Sequence, residues 1–209
     1  MTFSDLHQYY QTLELDQHVN ALLQTGIELN IPFKQPLKLE KDAIYFVVKG
    51  SMALVIEDNH LIIGNTIEYM PIGLMEKCCP LAKFSYTAMS DVTLVKLSYQ
   101  QFSDYFYQQD KAEVLTQILS FMAIFTLDLH SERKKVSSYH TIRSMLFRYI
   151  YRTESHEHEN EGIASFIISR TNLSRAHVFR VLADLKQGGY ITIKKGRLIS
   201  INKNLPSDY

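Results

Sequence analysis

The spacing of apolar residues along this chain changes several times, and each change marks a boundary. Over residues 3–25, Phe3, Leu6, Tyr10, Leu13, Val19, Leu22 and Leu23 follow a loose helical spacing that Gly26 ends, which predicts one or two short helices. From Ile27 to Leu97 the texture shortens to β-type runs: Ile44–Val48, Met52–Ile56, Leu61–Ile63, Tyr86–Ala88 and Val92–Leu97. Lys49-Gly50-Ser51 and Glu57-Asp58-Asn59-His60 supply tight turns between them. Short strands at such intervals predict a small antiparallel barrel or sandwich. From Tyr99 the pattern becomes helical. Within 111–135, Leu115, Ile118, Met122, Phe125 and Leu129 alternate steps of three and four, a heptad seam suited to pairing with a second subunit. Val114, Phe121 and Ile124 form a stripe beside it, so the helix can pack on its own barrel as well; burial within one subunit is the alternative. Ser137–Arg152 predicts a further helix with Ile142, Met145, Leu146, Tyr149 and Ile150 inward, followed by a polar loop over 153–162.

Residues 171–185 have two sharply different faces. At 100° per residue from Arg175, Val178, Val181, Leu182 and Leu185 fall between about 240° and 340°, and Arg175, Ala176, Phe179, Arg180 and Ala183 between about 0° and 140°. Ser174 is a strong N-cap, Leu173 is placed to staple against Val178, and Asn172 tolerates a left-handed turn before the cap. Upstream, Ile163–Ile168 predicts a short first helix with Ser169–Asn172 as the turn of a helix-turn-helix. Downstream, Lys186-Gln187-Gly188-Gly189 stops the helix, and Ile191–Ile193 and Leu198–Ile201 flank the basic segment Lys194-Lys195-Gly196-Arg197, a hairpin wing. A face of two arginines, an aromatic ring and small residues suits the major groove, where arginine bonds guanine in bidentate fashion and apolar groups meet the thymine methyl. An ordinary amphipathic helix followed by a hairpin is the bland alternative.

Charge sharpens this division. The chain is neutral overall, yet Met1–His130 holds eight lysines, no arginine and fifteen acids, a balance of −7, whereas Ser131–Tyr209 holds six lysines, eight arginines and seven acids, a balance of +7. An acidic regulatory or interaction region joined to a nucleic-acid-binding region is the expected organisation. With no charged n-region ahead of an apolar stretch and no apolar run of membrane-spanning length, a cytoplasmic location away from any membrane is expected. Cys78 and Cys79 are adjacent, so they supply neither a disulfide framework nor a cluster ligand set; small core or loop residues is the plain reading, and a thiol sensor the sharper one. His156-Glu157-His158-Glu159 lacks a third fixed ligand, and neither metal nor cofactor is expected. An enzyme finds no support, because the chain has no glycine-rich phosphate loop, no HExxH and no nucleophile elbow.

Barrel, long helix and winged helix in this order resemble the CRP/FNR family of bacterial transcription regulators over nearly the whole chain. Ala43–Leu54 is similar to the family's strand, "KGS" turn and next strand, and Ser174–Leu182 to its "SRETVGRIL" recognition helix. The tail from Gly196 to Ile201 with Leu205–Tyr209 resembles a small enterobacterial subgroup. The resemblance implies an α+β protein with an N-terminal antiparallel β-roll of the cyclic-nucleotide-binding kind over 1–110, a dimerisation helix over 111–136 and a winged helix-turn-helix over 137–209. It places Arg175 and Arg180 as base-reading arginines and Ser174 against a phosphate. Ala176 replaces a cytosine-reading glutamate and Phe179 a glycine, so the operator does not carry over. In the barrel, Gly73-Leu74-Met75 stands for the nucleotide-binding "GEL", and Lys83-Phe84-Ser85 for the "RS" whose arginine grips the cyclic phosphate. Lysine is a poor substitute for a bidentate arginine fork. Gly73, Leu74, Met75, Lys83 and Ser85 therefore mark a degenerate effector pocket.

The expected function is a homodimeric regulator that binds double-stranded DNA through Ser174, Arg175, Ala176, Phe179, Arg180, Lys194, Lys195 and Arg197. Cyclic AMP control is not expected. RNA polymerase is a further expected partner, and the β-roll is either a scaffold or a pocket for an unknown effector. The competing class is a protein-interaction module whose acidic barrel binds another regulator, with DNA contact secondary.

Overall fold

The computed structural model describes residues 3–57, 60–79, 81, 83–107, 111–133, 137–154 and 161–207. They form two compact units, Met1–Leu127 and Asp128–Tyr209. In the first, α1 (Phe3–Thr12) and α2 (Leu15–Leu23) precede β1 (Ile27–Ile31), β2 (Pro36–Leu37), β3 (Ala43–Lys49), β4 (Met52–Ile56), β5 (Ile62–Asn65) and β6 (Pro71–Ile72). Then come α3 (Leu74–Cys78), β7 (Phe84–Ala88), β8 (Val92–Ser98), α4 (Tyr99–Phe106) and α5 (Ala112–Arg133). Two four-stranded sheets, ordered β1-β8-β3-β6 and β2-β7-β4-β5, are paired antiparallel and share a core.

Strand β3 shows how that core is built. Alternate residues of a strand point to opposite faces. Ala43, Tyr45 and Val47 join Leu37, Met52, Tyr86 and Leu94 in the cluster shared by both sheets. Phe46 faces the other way, with its ring 6.2 Å from Phe102 and 6.4 Å from Phe106 of α4. A strand covered on both faces reads as an unbroken apolar run, as this one does. Helix α4 starts at a capping box in which Ser98 and Gln101 satisfy each other's backbone N–H.

Helix α5 corrects the expected seam. Val114, Ile118, Phe121 and Phe125 are its buried apolar residues, and the Phe121 ring lies 4.2 Å from Tyr10 of α1 and 5.8 Å from Phe125. Ile118 and Phe125 thus face inward, whereas Ile124, expected against the barrel, is exposed together with Leu119 and Leu127. Leu115 and Met122 are half-buried, and the Leu129 side chain lies outside the described residues. The physical reason is the width of the stripe: the Phe121 ring fills the space next to Tyr10 and Phe125 stacks on Phe121, which turns Ile118 inward with them. Through Leu127 this helix belongs to the first unit.

The second unit contains α6 (Ser138–Glu154), α7 (Ile163–Arg170), α8 (Arg175–Gln187) and the hairpin β9 (Ile191–Lys194) and β10 (Arg197–Ile201). Its core gathers Ile142, Met145, Leu146 and Tyr149 of α6, Phe166 and Ile167 of α7, and the whole expected apolar face of α8, with Ile191 and Leu198 of the hairpin. Two ion pairs are buried in it: Arg148 donates to Asp128 and Arg170 to Glu161, each at 2.8 Å. The Arg170 guanidinium also lies 4.0 Å from the centre of the Phe166 ring. That anchor corrects the expected turn. Helix α7 continues through Ser169 and Arg170, and the extended Thr171 is its C-cap. Asn172 does not adopt the left-handed conformation expected of it.

Candidate nucleic-acid interface

Local chemistry fixes the attitude of α8. The Ser174 hydroxyl accepts from the His177 backbone N–H at 3.3 Å, Leu173 packs against the core, and Gly188 and Gly189 end the helix. Val178, Val181, Leu182 and Leu185 are buried, which rotates Arg175, Ala176, Phe179, Arg180 and Ala183 into solvent. Phe179 is 54% exposed, a large ring left uncovered beside two arginines. His177 sits on the border of the two faces, with its ring between Ser138 of α6 and Arg180.

The hairpin is held against the helices by its turn. Lys195 and Gly196 both have positive φ, at 49° and 77°, the geometry that suits the twist of a two-residue hairpin loop. This conformation is free of cost for Gly196. Its carbonyl accepts from the Ile163 N–H at 2.9 Å, satisfying a donor of the first turn of α7. A Cβ on Gly162 would meet that same carbonyl oxygen at 3.1 Å, so a small residue permits the approach. At the base of the wing, Asn202 accepts from Thr192 and Ser200 and donates to the Gly189 carbonyl. Lys194, Lys195 and Arg197 are exposed at the tip. All eight residues expected to meet DNA therefore lie on exposed positions of two elements mounted on one core, and the cations among them number five: Arg175, Arg180, Lys194, Lys195 and Arg197.

The expected effector residues lie in and beside α3 and β7. Gly73 is the N-cap of the short α3, Leu74 is buried, Lys83 is exposed, and Ser85 is half-buried in β7. An acid is present two residues beyond Leu74: the Tyr86 hydroxyl donates to Glu76 Oε1 at 3.0 Å. Burial, with the Glu76 charge beside it, raises the Tyr86 phenol far above its ordinary range, so it remains the donor. The shared core of the sheets is filled by side chains as large as Tyr45, Met52, Ile72 and Tyr86. Cys78 closes α3 and Cys79 is its C-cap; both are free and exposed, which removes the reading of them as core residues. The His156–Glu159 segment lies outside the described residues, and no group able to hold a metal occurs among those described. No helix among the described residues is long and apolar enough to cross a membrane.

Comparison with known proteins agrees with this geometry. Residues 138–207 match a family model described as winged helix-turn-helix DNA binding. Over 73 residues the chain is 42% identical to the inhibitor of hydrogen peroxide resistance of Escherichia coli, a member of the subgroup that the tail resembles; the match takes in 35% of this chain. It spans about a third (34%) of that relative's length. The fold is similar to the c-di-GMP-responsive global regulator of Xanthomonas campestris, with a TM-score of 0.66 at 14% identity over 90% of this chain and 99% of that one. It is also similar to a putative transcriptional regulator of the CRP/FNR family from Eubacterium rectale, with a TM-score of 0.69 at 10% identity over 87% and 88% of the two chains. Over most of its length this chain has the CRP/FNR-type fold, and it ends in a winged helix-turn-helix of the DNA-binding kind.

Proposed function

We propose that the chain is a non-enzymatic, homodimeric transcription regulator of the cytoplasm that reads double-stranded DNA through α8 and is not controlled by cyclic AMP. The observation that carries this reading is the solvent-facing surface of α8, where two arginines and a bare aromatic ring stand beside a cationic wing on one rigid core. Arg175 and Arg180 read bases, Ala176 and Phe179 meet the groove closely, and Ser174 with Lys194, Lys195 and Arg197 contacts phosphates. The exposed Leu119 with the half-buried Leu115 and Met122 on either side of it along α5, at steps of four and three, suits a seam with a second copy. A two-fold dimer addresses half-sites ~34–36 Å apart.

The β-roll serves in this reading as a scaffold. No arginine precedes Arg133, and the shared core of its sheets is packed with side chains. Likeness over 73 residues to the E. coli inhibitor of hydrogen peroxide resistance supports a stress-response regulon. The test starts with selection of duplexes from a random library by the full chain. Arg175→Ala and Arg180→Ala should each weaken binding of the enriched duplex about ten- to a hundredfold and relax preference at one base pair per half-site, with unchanged circular dichroism. Cyclic AMP should leave all these affinities as they are. Wild-type affinity and base preference in both variants would remove α8 as the reading element and favour the protein-interaction reading.

A further inference from the structure

Arg180 is not a free cation on the surface of α8. Its Nη2 lies 3.0 Å from Nδ1 of His177, one helical turn earlier, and His177 Nε2 lies 2.7 Å from the Ser138 hydroxyl in the first turn of α6. A guanidinium has only donors, so Nδ1 must offer a lone pair. The ring hydrogen then sits on Nε2 and points at the Ser138 oxygen. Its middle and its Ser138 end are anchored: the His177 backbone N–H is the one capped by Ser174, and Tyr139, next to Ser138, is buried with its hydroxyl donating to the Pro206 carbonyl at 2.9 Å. The relay exists only while the imidazole is neutral. A second ring proton would turn the acceptor into a donor and set two positive charges face to face.

Among the described residues the surroundings offer an imidazolium no carboxylate partner. On its own helix the nearer charged groups are Arg175 and Arg180, and Asp184 lies two turns further along. Helix α6 contributes His140, held by Ser137, with Arg143, and with Arg148 committed to Asp128. Helix α7 contributes Arg170, already paired with Glu161, and the hairpin contributes Lys194. Among the described residues no carboxylate forms an ion pair with His177.

We propose that neutral His177 is a positioning residue that holds Arg180 for base reading, and that its protonation releases Arg180, so that sequence discrimination falls as the pH falls. This rests on α8 being the reading element. The sign is diagnostic, because an added positive charge by itself strengthens attraction to any DNA. Affinities would be measured for the enriched duplex and for a copy altered at the base pair whose preference Arg180→Ala relaxes, at pH 8 and pH 5 and constant salt, a range wide enough to charge an imidazole that has no carboxylate partner. In the wild type the ratio of the two affinities should drop about tenfold at the lower pH, within what one bidentate contact is worth. His177→Asn, whose Oδ1 takes the place of Nδ1 without titrating, should keep the ratio at both pH values. His177→Ala should show the reduced ratio at both, and His140→Gln should retain the wild-type pH response. A wild-type ratio that is the same at pH 8 and pH 5, or a pH response that survives in His177→Asn, would overturn the proposal. If Arg180→Ala relaxes base preference and His177→Ala does not, only the role of His177 is lost. If Arg180→Ala itself relaxes nothing, the reading element has been misassigned and both fall together.

Discussion

The two units use positive charge in opposite ways. In the β-roll unit the described ion pairs are made by lysines at the surface, Lys77 with Asp42 and Lys96 with Glu40. In the winged unit the cations are largely arginines and are divided between two tasks: Arg148 and Arg170 are buried against acids, whereas Arg175 and Arg180 are exposed on α8. The excess of arginine in the C-terminal part is therefore not all an electrostatic footprint for nucleic acid. Part of it is internal framework, chosen because a planar guanidinium can meet a carboxylate and an aromatic face at once, as Arg170 does with Glu161 and Phe166.

This contrast can be broken by substitution. The largest effect should come from Glu161→Ala, which strands the buried Arg170 charge; loss of ~3–5 kcal/mol is expected in denaturation of the full chain, with recovery when Arg170→Met is added. An unchanged midpoint for Glu161→Ala would place these arginines among the surface cations. Next, Leu119→Glu with Met122→Glu should give folded monomers by sedimentation, whereas Ile118→Glu should unfold the β-roll unit, because Ile118 is fully buried while Leu119 is exposed and Met122 half-buried. A persistent dimer in the double variant would exclude that side as the seam. Smaller still, Lys195→Ala should weaken binding to all duplexes alike and lower the salt slope by roughly one, the signature of a phosphate contact. Smallest of all, Lys96→Ala should leave the denaturation midpoint where it was, since an exposed pair is screened by water and salt.

Legibility in the sequence followed the number of neighbours a residue has to satisfy. The start, core face and stop of α8 were readable because one core covers one side and solvent the other, so a single period describes it. Helix α5 was not, because the heptad spacing reports that a stripe is apolar without saying whether it meets its own barrel or another chain; Ile118 and Phe125 went inward and Ile124 outward. The end of α7 was placed short because Arg170 reads as a surface residue and is 4% exposed. The two-residue strands β2 and β6 are too short to carry any period. His177 escaped notice for a related reason: it lies at about 200° on the helix, between the arcs of core and exposed face, where pattern assigns no task. Its role depends on Ser138, thirty-nine positions away in sequence.

The wing tip illustrates a conflict between stability and use. Lys195 holds a left-handed backbone conformation at φ 49°, for which asparagine or glycine is the economical choice in a two-residue hairpin loop. Its lysine is thus a residue the turn would not select for itself. Lys195→Asn is a stabilising substitution that costs the tip a cation, so variants chosen for thermal resistance alone should accumulate at this position while losing grip on DNA.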